Sequence, residues 1–194
     1  MEYIDEAIVE SRKKLERQQH TTLENGIYVD DELITFLRIT LPDSKISMLL
    51  PEQFIVMPES VKLMKYPSKD APEWILTSLD STVNWCFSIL EIESKNSNAN
   101  EICSQFQMAL RNVNPSIKAS EQTEVVTNEG DAMSWFEFVG YTLDGQNYNR
   151  IYIVKMKDTV LHGTFNCSLK DKIKWENIVE LCFLSIDEMG TIKG

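Results

Sequence analysis

YNRIYIVKMK at residues 148–157 and TVLHGTFNC at residues 159–167 decide how this chain is read. In the second segment Leu161, Gly163, Phe165 and Cys167 fall on one face of an extended chain, and His162, Thr164 and Asn166 on the other. Such alternation marks a β-strand, whose side chains point to opposite faces with period two. The first segment is apolar on both faces, with Ile151 and Ile153 opposite Tyr152, Val154 and Met156, so it predicts a central strand covered on both sides. Downstream, Trp175, Ile178, Val179, Cys182, Phe183 and Ile186 recur at 3, 4, 7, 8 and 11, the stripe of an amphipathic helix. Together these features call for a sheet sandwiched between helices.

The pattern extends outward. Strands are predicted at 132–141 and 117–126, with turns at Gly130 and Asp144-Gly145, which completes an antiparallel meander. Before it, Ile102, Phe106, Ala109, Leu110 and Val113 line one side of a helix that starts in the polar loop Asn96 to Asn100 and ends at Asn114-Pro115. Two strands at 74–80 and 83–91 turn at Ser81-Thr82, with Trp85, Phe87 and Ile89 on one face. Residues 57–73, broken by Pro58, Pro67 and Pro72, read as a long loop with at most one helical turn. A short strand at 46–50 is stopped by Pro51. Residues 27–29 and 33–41 are β-like and flank a solvated turn at Asp30-Asp31-Glu32. Residues 2–19 form a helix with a thin stripe of Ile4, Ile8 and Leu15, expected to lie loosely on the domain, extend from it or meet a partner.

The order of elements is similar to that of the PsbP-like superfamily. The strand and loop Ile46-Ser47-Met48-Leu49-Leu50-Pro51-Glu52-Gln53-Phe54 resemble that family's opening. The helix near 100–113, the meander entered through Gly130-Asp131-Ala132, and the closing helix with Leu184-Ser185-Ile186 occupy matching places. The resemblance covers residues 46–187, about three quarters of the chain, and it is one of topology more than of motif. It implies an α+β fold, an antiparallel sheet of six to seven strands between helices. Residues 46–190 would form that domain and residues 1–45 an extra N-terminal helix and β extension, in one compact unit. Members of the family include Ran-binding nuclear import factors, the PsbP subunit of photosystem II, bacterial lipoproteins and chaperones of secreted effectors. Their shared theme is binding another protein, and no residue motif for binding is common to the branches.

The net charge of −11 and pI near 4.7 set a field that repels phosphate backbones and anionic lipid, so neither nucleic acid nor a membrane is expected as a partner. The basic run Arg12-Lys13-Lys14 with Arg17 follows Glu2, Asp5, Glu6 and Glu10, an order that suits the dipole of one helix. Cys86, Cys103, Cys167 and Cys182 are widely spaced, make no C-x-x-C pair and are expected as free buried thiols in a reducing cytoplasm. The acidic start lacks the apolar core of a secretion signal, and no stretch nears the roughly 18 apolar residues of a spanning helix.

Chemistry-bearing motifs are sparse. The two histidines, His20 and His162, have no neighbouring ligands in sequence, and there is no phosphate-binding glycine loop and no G-x-S-x-G elbow. Neither a metal nor a cofactor is expected. The acidic trio at 30–32 lacks the alternating ligands and glycine of a calcium loop. Tyr66 and Trp74 bracket the proline-rich segment 67–72, and with Asp70 and Glu73 they are the candidate partner-binding residues. Tyr141 and Tyr148 flank a turn in the same manner. The reading is a non-catalytic interaction module, an adaptor, chaperone, binding factor or immunity-type protein, whose partner is another protein, a basic one where charge guides the encounter. Two alternatives stand beside it: a small-molecule binder using an apolar cleft between sheet and helix, and a cysteine or carboxylate hydrolase with an unrecognised site, in the cysteine case with His162 as base.

Overall fold

Strands from 148–157 and 159–167 lie side by side near the middle of a seven-stranded antiparallel sheet in the computed structural model, which describes residues 2–68, 71–90, 98–142, 145–157 and 159–188, with side chains from Glu6 onward. In chain order the elements are α1 (Glu2–Gln19), β1 (Thr21–Thr22), β2 (Gly26–Val29), β3 (Glu32–Ile34), β4 (Phe36–Thr40), β5 (Ile46–Pro51), β6 (Ile55–Val56), α2 (Glu59–Lys65), β7 (Trp74–Thr77) and β8 (Asn84–Leu90). They continue with α3 (Ala99–Val113), β9 (Thr123–Val126), β10 (Ala132–Thr142), β11 (Gly145–Lys155), β12 (Val160–Ser168), a 3-10 turn (Leu169–Asp171), α4 (Lys172–Leu184) and β13 (Asp187–Glu188). The large sheet is ordered β6-β7-β8-β12-β11-β10-β9; β1-β2-β3 and β13-β5-β4 form two small sheets.

Register-paired residues point to the same side, so each row of partners becomes a stripe across the sheet. One face presents Trp85, Phe87, Tyr152, Val154, Leu161 and Phe165, all buried beneath Trp175, Ile178, Val179, Cys182 and Phe183 of α4. Gly163 allows that approach, because a Cβ there would stand 2.4 Å from the Phe183 ring, itself stacked on Tyr152 at 3.7 Å. The opposite face presents Phe136, Ile151, Ile153 and Val160 to Ala99, Ile102 and Cys103 of α3. A capping box starts α3: Asn98 Oδ1 accepts from Glu101 N at 2.8 Å, and Glu101 Oε2 accepts from Asn98 N at 3.2 Å. Leu23, Ile34 and Leu41, from the N-terminal extension, are buried in the same core as Met48 and Leu50 of β5.

A buried cation also fixes α4. Arg150, 4% exposed, donates from Nε to the Tyr148 hydroxyl at 2.7 Å, from Nη1 to the Tyr152 hydroxyl at 3.1 Å and from Nη2 to Glu137 at 3.2 Å. It lies over the Trp135 ring at 4.2 Å. Lys172, the first residue of α4, reaches the other Glu137 oxygen at 2.6 Å, so the network ties helix to sheet.

Several expectations are corrected. Segment 57–73 holds α2, two turns rather than one at most, because Val61 and Tyr66 pack against Met57, Ile75 and Cys86. The strand expected at 117–126 shrinks to β9 plus a single bridge between Ala119 and Phe138. Pro51 ends β5 from inside the ladder, opposite Phe36. The pair at 74–80 and 83–91 is shorter, since the Ser78–Val83 turn consumes its own hydrogen bonds. Asp144 and part of the loop that opens at Asn96 lie outside the described residues. Among those described, no helix is long and apolar enough to cross a membrane.

Candidate functional site

On the α3 face, one register row is polar across four strands. Thr77 of β7 pairs with Asn84 of β8, Asn84 with Asn166 of β12, and Asn166 with Asn149 of β11. One step further out, Asn147 pairs with Ser168. Asparagine is disfavoured within strands. Its placement here makes a floor of side-chain amides beyond the end of the apolar patch that α3 covers.

A hydrogen-bonded chain orients the floor. Thr77 Oγ1 donates to Asn84 Oδ1 at 2.7 Å, which turns the Asn84 amide nitrogen toward Asn166 Oδ1 at 2.8 Å. The Asn166 nitrogen then donates to the Tyr66 hydroxyl at 3.1 Å, and the Cys86 thiol lies 3.5 Å from the same oxygen. Thr77 and Asn84 are buried, so the chain anchors the half-exposed Asn166 to rigid sheet. Burial raises the Tyr66 phenol above its ordinary range, keeping it a neutral hydroxyl. Asn149 donates to the Asn147 carbonyl at 3.1 Å, and among the described residues the side-chain amides of Gln146 and Asn147 have no hydrogen-bond partner.

Around this floor stand the end of α2 (Met64, Lys65, Tyr66), the β7–β8 turn (Asp80 to Thr82), the β10–β11 hairpin and Lys170, enclosing a cleft of about 860 Å³. The turn is self-sufficient. Asp80 accepts from Ser78 Oγ at 2.6 Å and from Thr82 N at 3.1 Å, bonds that hold its carboxyl below the usual range, and Lys65 caps the Ser81 carbonyl. One large apolar side chain, Met64, is exposed on the wall, at 76%.

The candidate residues separate. Tyr66 belongs to the cleft. Trp74 and Glu73 sit at the opposite end of β7: Trp74 is half-buried and stacked on Phe87 at 5.5 Å, while the Glu73 carboxylate accepts from Ile89 N at 3.3 Å. Asp70 lies outside the described residues. Tyr148 is buried in the Arg150 network, whereas Tyr141 is exposed. The amides at 84, 147, 149 and 166 were missed by the sequence reading, although four asparagines inside predicted or flanking strand sequence were the available signal.

The titratable groups of the sheet face run against nucleophilic chemistry. Burial pushes the Cys86 thiol up to about 11 and the His162 imidazole down to about 4, the reverse of a thiolate–imidazolium pair. His162 is covered by α3, stacked on Phe106 at 4.4 Å, and its only hydrogen-bond contact among the described residues is Thr164 at 3.4 Å. Cys103 and Cys167 are likewise raised by burial, to about 11 and about 12, and all four cysteines are free and buried. No group of three or more metal-ligating side chains occurs among the described residues.

No family model and no curated protein matches the chain by sequence. Solved structures do match by fold. Cyanobacterial PsbP (CyanoP) from Synechocystis aligns with a TM-score of 0.59 at 12% identity, over 84% of this chain and 98% of its own. LpqN of Mycobacterium tuberculosis, involved in cell envelope biogenesis, aligns with a TM-score of 0.52 at 12% identity, over 86% of this chain and 96% of its own. The chain therefore has a PsbP-like fold over most of its length.

Proposed function

We propose that the chain is a non-catalytic protein-interaction module whose working surface is the asparagine-floored cleft. One observation carries the reading: an anchored row of neutral amides with exposed Met64 on its wall. Side-chain amides offer a donor and an acceptor each, as peptide groups do, and suit an extended segment of another protein. Exposed methionine is a residue type enriched where proteins meet. The net charge of −11 favours encounter with a basic partner and disfavours nucleic acid and anionic lipid.

The small-ligand reading is less well supported, because between sheet and α4 the space is filled by the Phe183 ring packed on Tyr152 and Gly163. The cysteine-hydrolase reading meets the opposed shifts of Cys86 and His162.

The test is quantitative cross-linking in native lysate with the wild type and the double variant Met64→Asp/Asn147→Ala, both of whose positions line the cleft. A stoichiometric partner lost from the variant while its circular dichroism is unchanged is the expected result. A partner retained by the variant, or none recovered by the wild type, overturns the proposal.

A further inference from the structure

Thr77 is fully buried and does not itself line the cleft. Its hydroxyl stands between two acceptors, Asn84 Oδ1 at 2.7 Å and the Val83 carbonyl at 3.3 Å. A hydroxyl has a single proton to give. The Val83 carbonyl already accepts from Ser78 N at 3.0 Å, and the Asn84 contact is the shorter, so the proton goes to Asn84. That choice propagates along the row. With Oδ1 filled, Asn84 Nδ2 donates to Asn166 Oδ1 at 2.8 Å, and Asn166 Nδ2 donates to the Tyr66 oxygen at 3.1 Å. The phenol oxygen is thereby used as an acceptor, and its own proton remains to be given. Besides Asn166, its hydrogen-bond contact among the described residues is the Cys86 sulfur at 3.5 Å, a weak partner in either sense. Tyr66 lines the cleft.

The same groups can be joined in the opposite direction. Tyr66 would then donate to Asn166, Asn166 to Asn84, Asn84 to Thr77 and Thr77 to Val83, and the phenol would offer the cleft only lone pairs. The two ends of the row are therefore coupled, and the buried end decides what the cleft end presents. We infer that Thr77 is the positioning residue of the cleft: it fixes the direction of the row so that the Tyr66 hydroxyl donates to a carbonyl oxygen of the partner's extended segment. This rests on the cleft being the working surface, and it names the group a partner must present there. Burial keeps the phenol protonated, so the donor persists at neutral pH.

Hydrogen-bond scalar couplings in the isotope-labelled full chain read the direction of the row without any partner. A coupling from Asn84 Nδ2 to Asn166 Cγ is expected in the wild type and in Thr77→Ser. In Thr77→Val the shared donor is gone, and Asn84 Oδ1 and the Val83 carbonyl are left on either side of its place. The Asn84 amide should turn round to point its N–H at that carbonyl, giving a coupling from Asn166 Nδ2 to Asn84 Cγ instead. N,N-dimethylacetamide, which accepts hydrogen bonds and donates none, is the probe for the partner's carbonyl. It should shift the resonances of Asn166 and residue 66 saturably in the wild type and Thr77→Ser, with affinity about tenfold lower in Thr77→Val and Tyr66→Phe. A reversed coupling in the wild type, an unchanged coupling in Thr77→Val, or probe binding indifferent to Tyr66→Phe would each overturn the inference. Should Thr77→Val fail to fold, the wild-type coupling and the Tyr66→Phe titration decide. A lysate that yields no partner counts against the cleft as a protein-binding surface and leaves the couplings as they are, so the two failures are told apart.

Discussion

A guanidinium is tolerated inside a protein only where its donors find acceptors, and Arg150 meets that demand with two phenols, a carboxylate and a ring face. Glu137 answers for the negative side: burial would raise its carboxyl, but bonds from Lys172 and Tyr148 hold it below the usual value. Its contribution is complete above the ordinary glutamate range and is lost as pH falls through the lowered folded value. Arg150→Met should cost about 3 kcal/mol, read by urea denaturation, because it strands both hydroxyls and half of Glu137. His162 gives a second pH signature. Its unfolded value near 6.5 falls to about 4 in the fold. Between those values the unfolded chain binds the extra proton, so stability declines as pH drops from 6.5 toward 4, by roughly 3 kcal/mol in total. His162→Phe keeps the stack on Phe106 and should flatten that portion of the pH–stability profile.

Among the elements, the two helices on the sheet are held by different devices. The capping box of α3 satisfies two backbone donors, and Asn98→Ala should cost about 1 kcal/mol. Helix α4 depends on Gly163. With Phe183 already pressed on Tyr152, the ring cannot retreat from an added methyl 2.4 Å away. Gly163→Ala should therefore cost about 2 kcal/mol or more, seen as a lowered urea midpoint with an unchanged m-value. Helix α2 illustrates a third case. Only two turns long, it is kept by Val61 and Tyr66 on Ile75 and Cys86, and it brings Tyr66 to the amide row.

For the whole molecule, the seven-stranded sheet between α3 and α4 carries the cooperative core, and α1 stands outside it. Among the described residues, deleting 1–19 removes one exposed ion pair and a few exposed hydrogen bonds. Exposed pairs contribute little, so calorimetry should show Tm lowered by no more than about 3 °C.

Period-two alternation in 159–167, the two-faced strand before it and the stripes of α3 and α4 were legible without coordinates, because periodicity is a property of consecutive residues. So were the free buried cysteines and the missing phosphate loop. The candidate site was far less legible. Tyr66 was singled out, but the reason it matters is Asn166, one hundred residues later, and the amide floor exists only because three strands align Asn84, Asn166 and Asn149 in one row. His162 read as a polar-face residue until α3 covered it. The sequence by itself determined which side of each strand and helix is apolar, since that is written locally in the order of the residues. Only the tertiary structure decided which polar side meets solvent, which lies under a helix and which lines a cleft. Those outcomes depend on strand register and helix placement, and both are settled by contacts between distant parts of the chain.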